Sequence, residues 1–576
     1  MLPHKLIEQR LQHAVQAILP GSDVAAVLVR PCPDPKFGDY QTNALMSLAK
    51  ARKMNPRQLA ADVTAKLDLR DCCESVEVAG AGFLNFRLAP SAMVQSLQEA
   101  ARGEHLFFEK TVRPRTVLVD FSSPNVAKPM HIGHIRSTIL GDSLTRLLRL
   151  LGHHVITDNH IGDWGTQFGK LLVGWKHHLD LPALQIEPIG EMDRLYKLVN
   201  AAGESDPAIL EQSRQELVKL QRGDEENLKI WREMLALSQA QFDRIYQRLG
   251  VNFDKALGES FYNSRLQPLV RELCDKGIAR ESEGAIAVFF KDIPHLKANP
   301  ALIQKSDGAF NYTTTDLATL AYRLETWLPA EIVYVTDARQ QLHFQQIFAV
   351  FRRWHPEAKV NLTHVWFGSI LGEDGKPFKT RSGETIKLAD LLDEAEERAF
   401  KVVSEKNAEL SEAQRREIAR IVGIGAVKYA DLMSNRQSDY VFSWDKLLAL
   451  NGNTAPYLQY AYTRIRSIFR KSGLETTGGG TRNPRLALAA TQEIALARHL
   501  LNFGLVLEAA VDEYRPNFLC NYLFELAGHF TSFYENCPVL KAESEMRANR
   551  LLLCELTARV LKQGFEVLGI ETAEQM

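Results

Sequence analysis

Apolar residues in the middle of the chain alternate between short runs and helical spacing. The segment Thr116–Val119 is short and β-branched, as expected for a parallel strand that is buried on both faces. Further along, apolar residues recur at helical spacing at Ile135, Ile139, Leu144, Leu147 and Leu151. These patterns predict a right-handed βαβ unit, with a strand over 116–121, a helix from about 132 to 151 and a strand over 154–158.

The same alternation returns after a long interruption. A largely helical, charged stretch from about 185 to 250 follows the βαβ unit. A strand over 331–335, a helix from about 341 to 353 and a strand over 364–367 come next. Together the two parts predict a doubly wound, Rossmann-type parallel sheet that is split by a helical insertion. Ligands bind such sheets at the carboxyl ends of the strands, so functional residues are expected there.

The two ends of the chain have other patterns. Residues 1 to about 110 combine helical spacing with short strands and begin with an amphipathic helix whose apolar stripe comprises Leu6, Leu11, Val15 and Ile18. Beyond about residue 390 strand signals vanish, and helical spacing continues to the end of the chain. The predicted fold class is therefore multidomain α/β: a small N-terminal α/β domain, a Rossmann-type domain and an all-α C-terminal bundle.

The length of 576 residues exceeds what one hydrophobic core usually supports. We expect an N-terminal α/β domain over 1–112 and a Rossmann-type domain over 113–395, with the insertion at about 185–250. A helical connecting region is expected over 396–450 and an α-helical domain over 451–576.

Composition is that of an ordinary soluble globular protein, with 45% apolar and 24% charged residues. The 69 Lys and Arg residues balance the 70 Asp and Glu residues, which excludes a uniformly basic surface for polyanions and leaves only local patches. The seven cysteines lack Cys-x-x-Cys spacing, so neither a zinc ribbon nor a disulfide framework is expected. The first helix is not a signal peptide, and no apolar run approaches the ~20 residues that span a bilayer, so we expect a cytoplasmic protein with no membrane partner.

A candidate phosphate site lies where the first predicted strand leads into its helix. The segment His131-Ile132-Gly133-His134 occupies this junction. Unpaired N–H groups at a helix start point towards bound anions, and Gly133 carries no side chain that would keep a ligand away. Two neutral imidazoles can also donate hydrogen bonds to phosphoryl oxygens as charge develops there. Taken alone, the same four residues also fit a zinc pattern or a pair of surface histidines.

A second candidate phosphate element follows the last predicted strand, in the segment 372–383. Glycine and proline give this segment the character of a loop, and its cations are Lys376, Lys379 and Arg381. These cations can neutralise a pyrophosphate leaving group. The alternative is an exposed basic hairpin without a catalytic role.

The residues around the histidine segment resemble class I aminoacyl-tRNA synthetases, and more narrowly the bacterial arginyl branch. The resemblance rests on Ser122-Ser123-Pro124-Asn125, on Lys128 and on the segment 158–169. The segments 451–461 and 568–576 extend it over nearly the whole chain. Class I members usually carry Lys-Met-Ser-Lys-Ser in the second loop, and this chain departs from that pattern.

The resemblance implies how this departure is compensated. In the arginyl branch a lysine just before the histidine motif replaces part of the degenerate loop, and Lys128 occupies that position. The implied catalytic residues are His131, His134, Lys128 and Lys379. The implied ATP-binding residues are Gly133, His131, His134, Lys376, Lys379 and Arg381. The division of labour among the four basic residues stays open.

Arginine would be selected by carboxylates, because a guanidinium is a planar cation that a carboxylate pairs with through two hydrogen bonds. Asp316 lies one helical turn from Tyr312, so both can face one pocket, and Glu259 matches the second acidic position of the family. The alternative for Asp316 is a helix cap. The resemblance also implies contacts with the α-amino and carboxylate groups of arginine from Ser123, Asn125 and Gln340, with His131 near the carboxylate. Gln340 also fits a surface amide.

The resemblance further implies two tRNA-binding regions. The N-terminal domain would hold the corner of the tRNA, with Phe83 and Asn85 as candidate base contacts, although Phe83 also fits a core residue. The C-terminal helices would bind the anticodon, with Tyr534 and Met576 as candidates. The alternatives there are a core tyrosine and a frayed chain end.

The expected function is ATP-dependent activation of L-arginine and its transfer to the 3′ end of tRNA(Arg), in protein synthesis. Mg²⁺ would accompany ATP, with no metal held by the protein, and we expect a monomer. Three alternatives remain at this stage. They are a class I synthetase for lysine or glutamine, a non-catalytic RNA-binding relative, and a nucleotidyltransferase that shares the histidine motif; the last has no use for so long a C-terminal helical region.

Overall fold

The computed structural model of the chain describes residues 1–378, 385–473 and 486–576. These residues form two units. The terminal unit comprises Met1–Lys110, Ala449–Glu566 and Thr572–Met576, and the sheet unit comprises Thr111–Leu448 and Val567–Glu571.

The N-terminal part of the terminal unit is a four-stranded antiparallel sheet with four helices. Its elements are α1 (Pro3–Ile18), β1 (Arg30–Pro31), β2 (Tyr40–Thr42), α2 (Ala44–Ala51), α3 (Pro56–Lys66), β3 (Cys73–Ala79), β4 (Phe83–Leu88) and α4 (Pro90–Ala101). The strand order is β1-β2-β4-β3. Helix α1 buries Ile7, Leu11 and Val15, so the predicted amphipathic helix is confirmed.

The first half of the sheet unit begins with the predicted βαβ unit and continues with helices. Its elements are β5 (Thr116–Phe121), α5 (Ile132–Leu150), β6 (His154–Asp158), α6 (Gln167–His178), α7 (Leu181–Ile186), α8 (Pro188–Ser205), α9 (Pro207–Gln221) and α10 (Glu225–Leu249). The three elements of the βαβ unit agree with their predicted bounds to within one residue.

The second half returns to the sheet after a small antiparallel layer. Its elements are α11 (Asn263–Asp275), β7 (Arg280–Ser282), β8 (Ala285–Val288), β9 (Ala301–Gln304), α12 (Tyr312–Trp327), β10 (Glu331–Val335), α13 (Gln341–Trp354), β11 (Asn361–His364), β12 (Ile370–Leu371), α14 (Leu388–Lys406), α15 (Glu412–Leu432), β13 (Tyr440–Val441) and α16 (Trp444–Leu447). The antiparallel strands β7, β8 and β9 were not predicted.

The central sheet is parallel, with the order β11-β10-β5-β6. The chain leaves the neighbouring strands β5 and β10 in opposite directions, which opens a crevice at their carboxyl ends. The sheet packs against a core that includes Leu118, Ile332, Leu317 and Phe351. The predicted multidomain α/β fold with a Rossmann-type sheet is confirmed.

Two strand predictions need correction. The last strand of the sheet is Asn361–His364 rather than 364–367, because β11 is an edge strand whose polar residues hide the pattern; the Asn361 side chain, for example, donates to Glu331. Strands also do not vanish after residue 390, since β13 pairs in parallel with β12. A strand of two residues is too short to leave a periodic signal.

The C-terminal part of the terminal unit is helical, as predicted. Its described elements are α17 (Ala455–Ser472), α18 (Thr491–Leu501), α19 (Phe503–Asp512), α20 (Asn517–Asn536) and α21 (Ser544–Val567). The stretch Thr491–Asp512 has a mean hydropathy of 1.5 and is long enough to cross a membrane, so the expectation that no apolar run approaches that length was wrong. Most of this stretch is buried in the terminal unit and it is divided at Asn502, as in a core helix pair.

Candidate active site

A strained loop follows β5 at the carboxyl edge of the sheet. Ser122, Ser123 and Ala127 have positive φ angles of 76°, 48° and 60°, a conformation that residues with a side chain rarely adopt. Hydrogen bonds hold it: the Ser122 N–H donates to Ser137 Oγ at 2.8 Å, and the Ser123 N–H donates to Asn159 Oδ1 at 3.0 Å. Such strain persists only where the surroundings fix it, and it concentrates at functional sites.

The histidine segment forms the first turn of α5. His131 is the N-cap residue, and its Nδ1 accepts a hydrogen bond from the Gly133 N–H at 3.0 Å. The Nδ1 of His134 accepts one from the His131 N–H at 3.1 Å, and the two rings lie 4.0 Å apart. A Cβ atom on Gly133 would lie 2.8 Å from the His131 ring, so glycine is required for this packing.

Both imidazoles are neutral at physiological pH. Burial lowers the pKa of His134 to about 3. The pKa of His131 is also lowered, mainly by burial and further by the positive charges of Arg339 and Lys128. These cations therefore lie close enough to act on His131, and the ammonium of Lys128 packs over the Tyr196 ring at 5.0 Å. Neutral rings, nearby cations and a helix N-terminus together suit a polyphosphate.

Acidic residues gather beside the loop that follows β6. Asp316 Oδ2 accepts a hydrogen bond from His343 Nε2 at 2.6 Å, and Asp316 Oδ1 lies 3.9 Å from His160 Nε2. The pKa of Glu259 is raised to about 7, mainly by burial and also by the negative charges of Asp316 and Asp163, whereas His160 opposes the shift. The structure thus brings together the two acids that were predicted to bind arginine. A cation placed between them would relieve their repulsion.

The acidic cluster and the loop after β5 are joined through the segment 159–163. The Glu259 N–H donates to the Ile161 carbonyl at 3.1 Å, and the Gly162 N–H donates to the Pro124 carbonyl at 3.0 Å. Asn125 pairs with Gly162, where a Cβ atom would collide with the Asn125 side chain. Asn125, which was predicted to bind the backbone groups of arginine, therefore adjoins the segment that bonds Glu259.

Tyr312 and Gln340 lie at the surface of this region. Tyr312 begins α12 and is 61% exposed. The centroid of its ring lies 4.7 Å from the centroid of the His343 ring. Gln340 ends the 3₁₀ turn Ala338–Gln340 and is exposed, so its side chain is free to meet a ligand or solvent.

The second phosphate element is described only in part. Lys376 lies in an exposed turn, where its carbonyl accepts from the Gly372 N–H at 2.8 Å. Lys379 and Arg381 lie outside the described residues. Residues on both sides of the loop are bonded to the start of α5: the Arg136 guanidinium donates to the Gly368 carbonyl at 2.8 Å, and the Ile132 N–H donates to the Ile386 carbonyl at 3.0 Å.

The four predicted tRNA contacts lie in the terminal unit. Phe83 is half-buried at the start of β4, whereas Asn85 is only 6% exposed between β2 and β3. The Arg464 guanidinium stacks on the Tyr534 ring at 4.5 Å, which leaves a half-buried aromatic and cationic surface. Met576 is half-buried at the end of the chain. Asn85 is thus the least accessible of the four in the free chain.

Several residues of the site were not predicted from the sequence. His160 lies within a segment that had been singled out, but His343 carried no signal beyond its closeness to Gln340. The Arg323 side chain is completely buried and pairs with Asp120 at 2.5 Å and with Asp158 at 2.8 Å, at the carboxyl ends of β5 and β6. The sequence signal for this buried network was an arginine at a position of α12 where the helical pattern calls for an apolar residue.

Within the described ranges, no group of three or more His, Cys, Asp or Glu side chains is arranged to hold a metal ion.

A doubly wound sheet whose first crossover helix begins with His131-Ile132-Gly133-His134 defines the catalytic domain of a class I aminoacyl-tRNA synthetase. Residues 96–444 match the family described as tRNA synthetases class I (R), catalytic domain. Residues 458–576 match the DALR anticodon binding domain, and residues 5–88 match the arginyl tRNA synthetase N terminal domain. The chain belongs to the arginyl-tRNA synthetase family, so the resemblance inferred from its sequence is confirmed.

Full-length relatives agree with this assignment. The arginine–tRNA ligase of Chromobacterium violaceum is 45% identical over 585 residues and covers 100% of both chains. That of Cellvibrio japonicus is 46% identical and covers 99% of both. Among solved structures, the arginyl-tRNA synthetase of Plasmodium falciparum superposes with a TM-score of 0.81 at 30% identity, and covers 100% of this chain and 99% of its own. That of Thermus thermophilus has a TM-score of 0.85 at 26% identity and covers 100% of both.

Proposed function

We propose that the chain is an arginine–tRNA ligase that acts in protein synthesis: it activates L-arginine with ATP and transfers the arginyl group to tRNA(Arg). The observation that carries the choice of amino acid is the placement of Glu259 and Asp316 against His160, next to the loop that leads to His131. These acids share a part-buried site, in which the negative charges of Asp316 and Asp163 raise the pKa of Glu259. A bound guanidinium would offset these negative charges.

In the first step the arginine carboxylate attacks the α-phosphorus of ATP. A bond forms between a carboxylate oxygen and that phosphorus, and the bond to the bridging oxygen breaks, which releases pyrophosphate. His131 and His134 donate hydrogen bonds to the phosphates, while Lys128, Lys376, Lys379 and Arg381 neutralise the leaving group. Mg²⁺ accompanies ATP, and the protein itself holds no metal. The enzyme contributes mainly by positioning and neutralising the reactants.

In the second step the terminal 2′-hydroxyl of the tRNA attacks the arginyl carbonyl carbon, and AMP leaves. Residues 1–112 hold the tRNA corner, with Phe83 and Asn85 as contacts. The anticodon binds the helical domain over 451–576 near Tyr534 and Met576. Residues 396–450 connect the catalytic domain to this anticodon-binding domain. The enzyme works as a monomer in the cytoplasm, and the first step requires bound tRNA.

Arginine is held at both of its ends. Ser123, Asn125 and Gln340 bind the amino and carboxylate groups, and Glu259, Tyr312 and Asp316 bind the guanidinium. A neutral analogue such as citrulline would leave both acids without a partner, and lysine would offer only a point charge. Unpaired buried groups cost about 1–3 kcal/mol each, so the site rejects both analogues without an editing step.

The test is an aminoacylation assay with total tRNA and each of the twenty amino acids. We expect a product with arginine alone, a loss of at least 100-fold in kcat/KM for Asp316→Ala, and an unchanged rate for Asp275→Ala. Asp275 is the matched control because it is exposed at the end of α11. Charging with lysine or glutamine instead would refute the proposal. Pyrophosphate exchange at full rate without tRNA would refute the tRNA requirement alone.

A further inference from the structure

His343 contacts two of the residues that are proposed to bind arginine, although it has no role in the mechanism above. It lies in the first turn of α13. Its Nε2 donates to Asp316 Oδ2 at 2.6 Å, and its ring packs edge-on against the Tyr312 ring at 4.7 Å. The His343 and Asp316 side chains are 14% and 26% exposed, so water competes little for this hydrogen bond.

The hydrogen bond restricts how the Asp316 carboxylate can turn. The χ2 torsion of an aspartate has a broad, two-fold energy profile, so an unrestrained carboxylate rotates easily. His343 holds one oxygen, and His160 Nε2 lies 3.9 Å from the other. An ionised carboxylate has about four acceptor positions, so the bond from His343 leaves positions for a ligand.

The packing against Tyr312 restricts a second wall of the same site. Tyr312 and Asp316 are four residues apart on α12, and His343 reaches both of them from α13. One imidazole therefore supports two side chains that would otherwise turn independently. Because Tyr312 is 61% exposed, the contact with His343 is a main restraint on its ring among the described contacts.

We propose that His343 is a positioning residue for amino-acid selection, which fixes the plane of the Asp316 carboxylate and the Tyr312 ring so that they receive a guanidinium edge. This inference rests on the proposed function, in which Asp316 binds the arginine side chain. His343 itself touches Asp316 and Tyr312 rather than the substrate. It acts by reducing the orientational freedom that arginine would otherwise have to remove on binding.

The guanidinium of arginine and the ammonium of lysine differ in geometry, and this difference makes the role of His343 measurable. A guanidinium forms two parallel hydrogen bonds with a carboxylate and needs the two groups to be coplanar. An ammonium is close to a point charge and tolerates many carboxylate orientations. Loss of His343 should therefore weaken the binding of arginine more than the binding of lysine. A general loss of stability would not discriminate between the two amino acids.

The primary test compares His343→Ala and His343→Gln with the wild-type enzyme. The Gln variant keeps an N–H donor near the position of Nε2. We expect His343→Ala to raise KM for arginine about 10-fold, the size of one charge-assisted hydrogen bond, with kcat changed less than about 3-fold. The inhibition constant of lysine, measured as a competitor of arginine charging, should change less than the KM for arginine, and His343→Gln should restore most of the arginine KM. His355→Ala is the matched control, because His355 directly follows the other end of the same helix.

A double-mutant cycle with Asp316→Asn tests whether His343 acts through Asp316. In that background, His343→Ala should change KM less than about 2-fold, because the carboxylate that it positions is gone. If charging by Asp316→Asn is too slow, the same cycle is measured from the melting-temperature shift that arginine causes. Additive effects, or an unchanged KM and selectivity in His343→Ala, would overturn the inference. Failure of the wild-type enzyme to charge arginine would instead overturn the proposed function.

Discussion

The Nδ1 atom of His134 accepts a hydrogen bond from the backbone N–H of His131, at 3.1 Å. The Nδ1 of His131 is likewise an acceptor, from the Gly133 N–H. In a neutral imidazole the other nitrogen then carries the proton, so each ring has its Nε2–H available to donate. The helix cap thus fixes the tautomer that phosphate binding requires, and the low pKa values keep both rings neutral.

This double role allows helix capping to be separated from catalysis at His131. Asparagine is a strong N-cap residue, so we expect His131→Asn to preserve stability, while His131→Ala should lower the free energy of unfolding by about 1 kcal/mol. Both variants lose the Nε2–H donor and should lower kcat for pyrophosphate exchange by about 10²–10³-fold. Urea unfolding and exchange kinetics measure the two effects. An active His131→Asn enzyme would show that His131 only caps the helix.

The raised pKa of Glu259 predicts that arginine binding depends on pH. Its pKa is about 7 in the free protein, so the carboxyl is largely protonated at pH 6 and largely ionised at pH 8. A guanidinium binds the ionised form, and binding therefore releases a proton and becomes tighter as pH rises. We expect KM for arginine to fall about tenfold between pH 6 and pH 8.

The control for this pH effect is Glu259→Gln, which cannot ionise. Its KM for arginine should be high and should lack the tenfold change across the same range. Calorimetry in buffers of different ionisation enthalpy should detect the released proton in the wild-type protein alone. An equal pH dependence in both proteins would assign the titration to another group.

The buried pair of Arg136 and Asp431 links α5 to α15 within the sheet unit. Their side chains are 1% and 0% exposed, and the Arg136 Nε lies 2.8 Å from an Asp431 oxygen. Removal of one partner leaves a buried charge without its counter-charge, so Asp431→Ala should lower the free energy of unfolding by about 3–5 kcal/mol. The double variant Arg136→Met with Asp431→Leu should recover much of that loss.

Urea denaturation measures these changes in the free energy of unfolding. Glu394→Gln is the control, because it breaks an exposed pair with Arg398 at 2.6 Å and should cost less than about 0.5 kcal/mol. A double variant as unstable as Asp431→Ala would show that the two carbonyls bonded by Arg136, rather than the charge pair, dominate its contribution.

The sequence predicted the parts of the site that depend on short-range patterns. The strand over 116–121 and the helix that begins at Ile132 follow from apolar periodicity, and the phosphate site follows from their junction. Glu259 and Asp316 came from the resemblance, since these two acids lie 57 positions apart in the chain and no periodicity encodes their closeness. Only the folded chain shows that both meet His160.

Long-range supports of the site could not be predicted. The Tyr246 hydroxyl, from the helical insertion, bonds both the Ser122 hydroxyl at 2.8 Å and the Asn159 amide at 3.0 Å. A tyrosine on an amphipathic helix has the sequence signature of a core residue, and its polar partners lie 124 and 87 residues away. The contacts of Arg323 could not be predicted either, because its carboxylate partners come from two different strands.

The buried histidine His499 in the terminal unit predicts that the stability of the folded protein falls in acid. His499 Nε2 donates to the Tyr522 carbonyl at 3.0 Å, and its ring stacks on the Tyr522 ring at 4.4 Å. Burial lowers the pKa of His499 to about 4. Between pH 6.5 and 4 the unfolded chain binds a proton that the folded chain does not, so stability falls as pH falls through this range, by up to about 3 kcal/mol.

His499→Gln keeps an N–H donor for Tyr522 but cannot titrate, so it isolates this contribution. We expect the variant to match the wild-type protein within about 1 kcal/mol at pH 8 and to lose less stability between pH 6.5 and pH 4. Unfolding in urea at several pH values, followed by tyrosine fluorescence, measures the difference. Other buried histidines, such as His4, titrate equally in both proteins and cancel in the comparison. Parallel pH profiles for the two proteins would show that His499 is not the group that makes the helical part acid-sensitive.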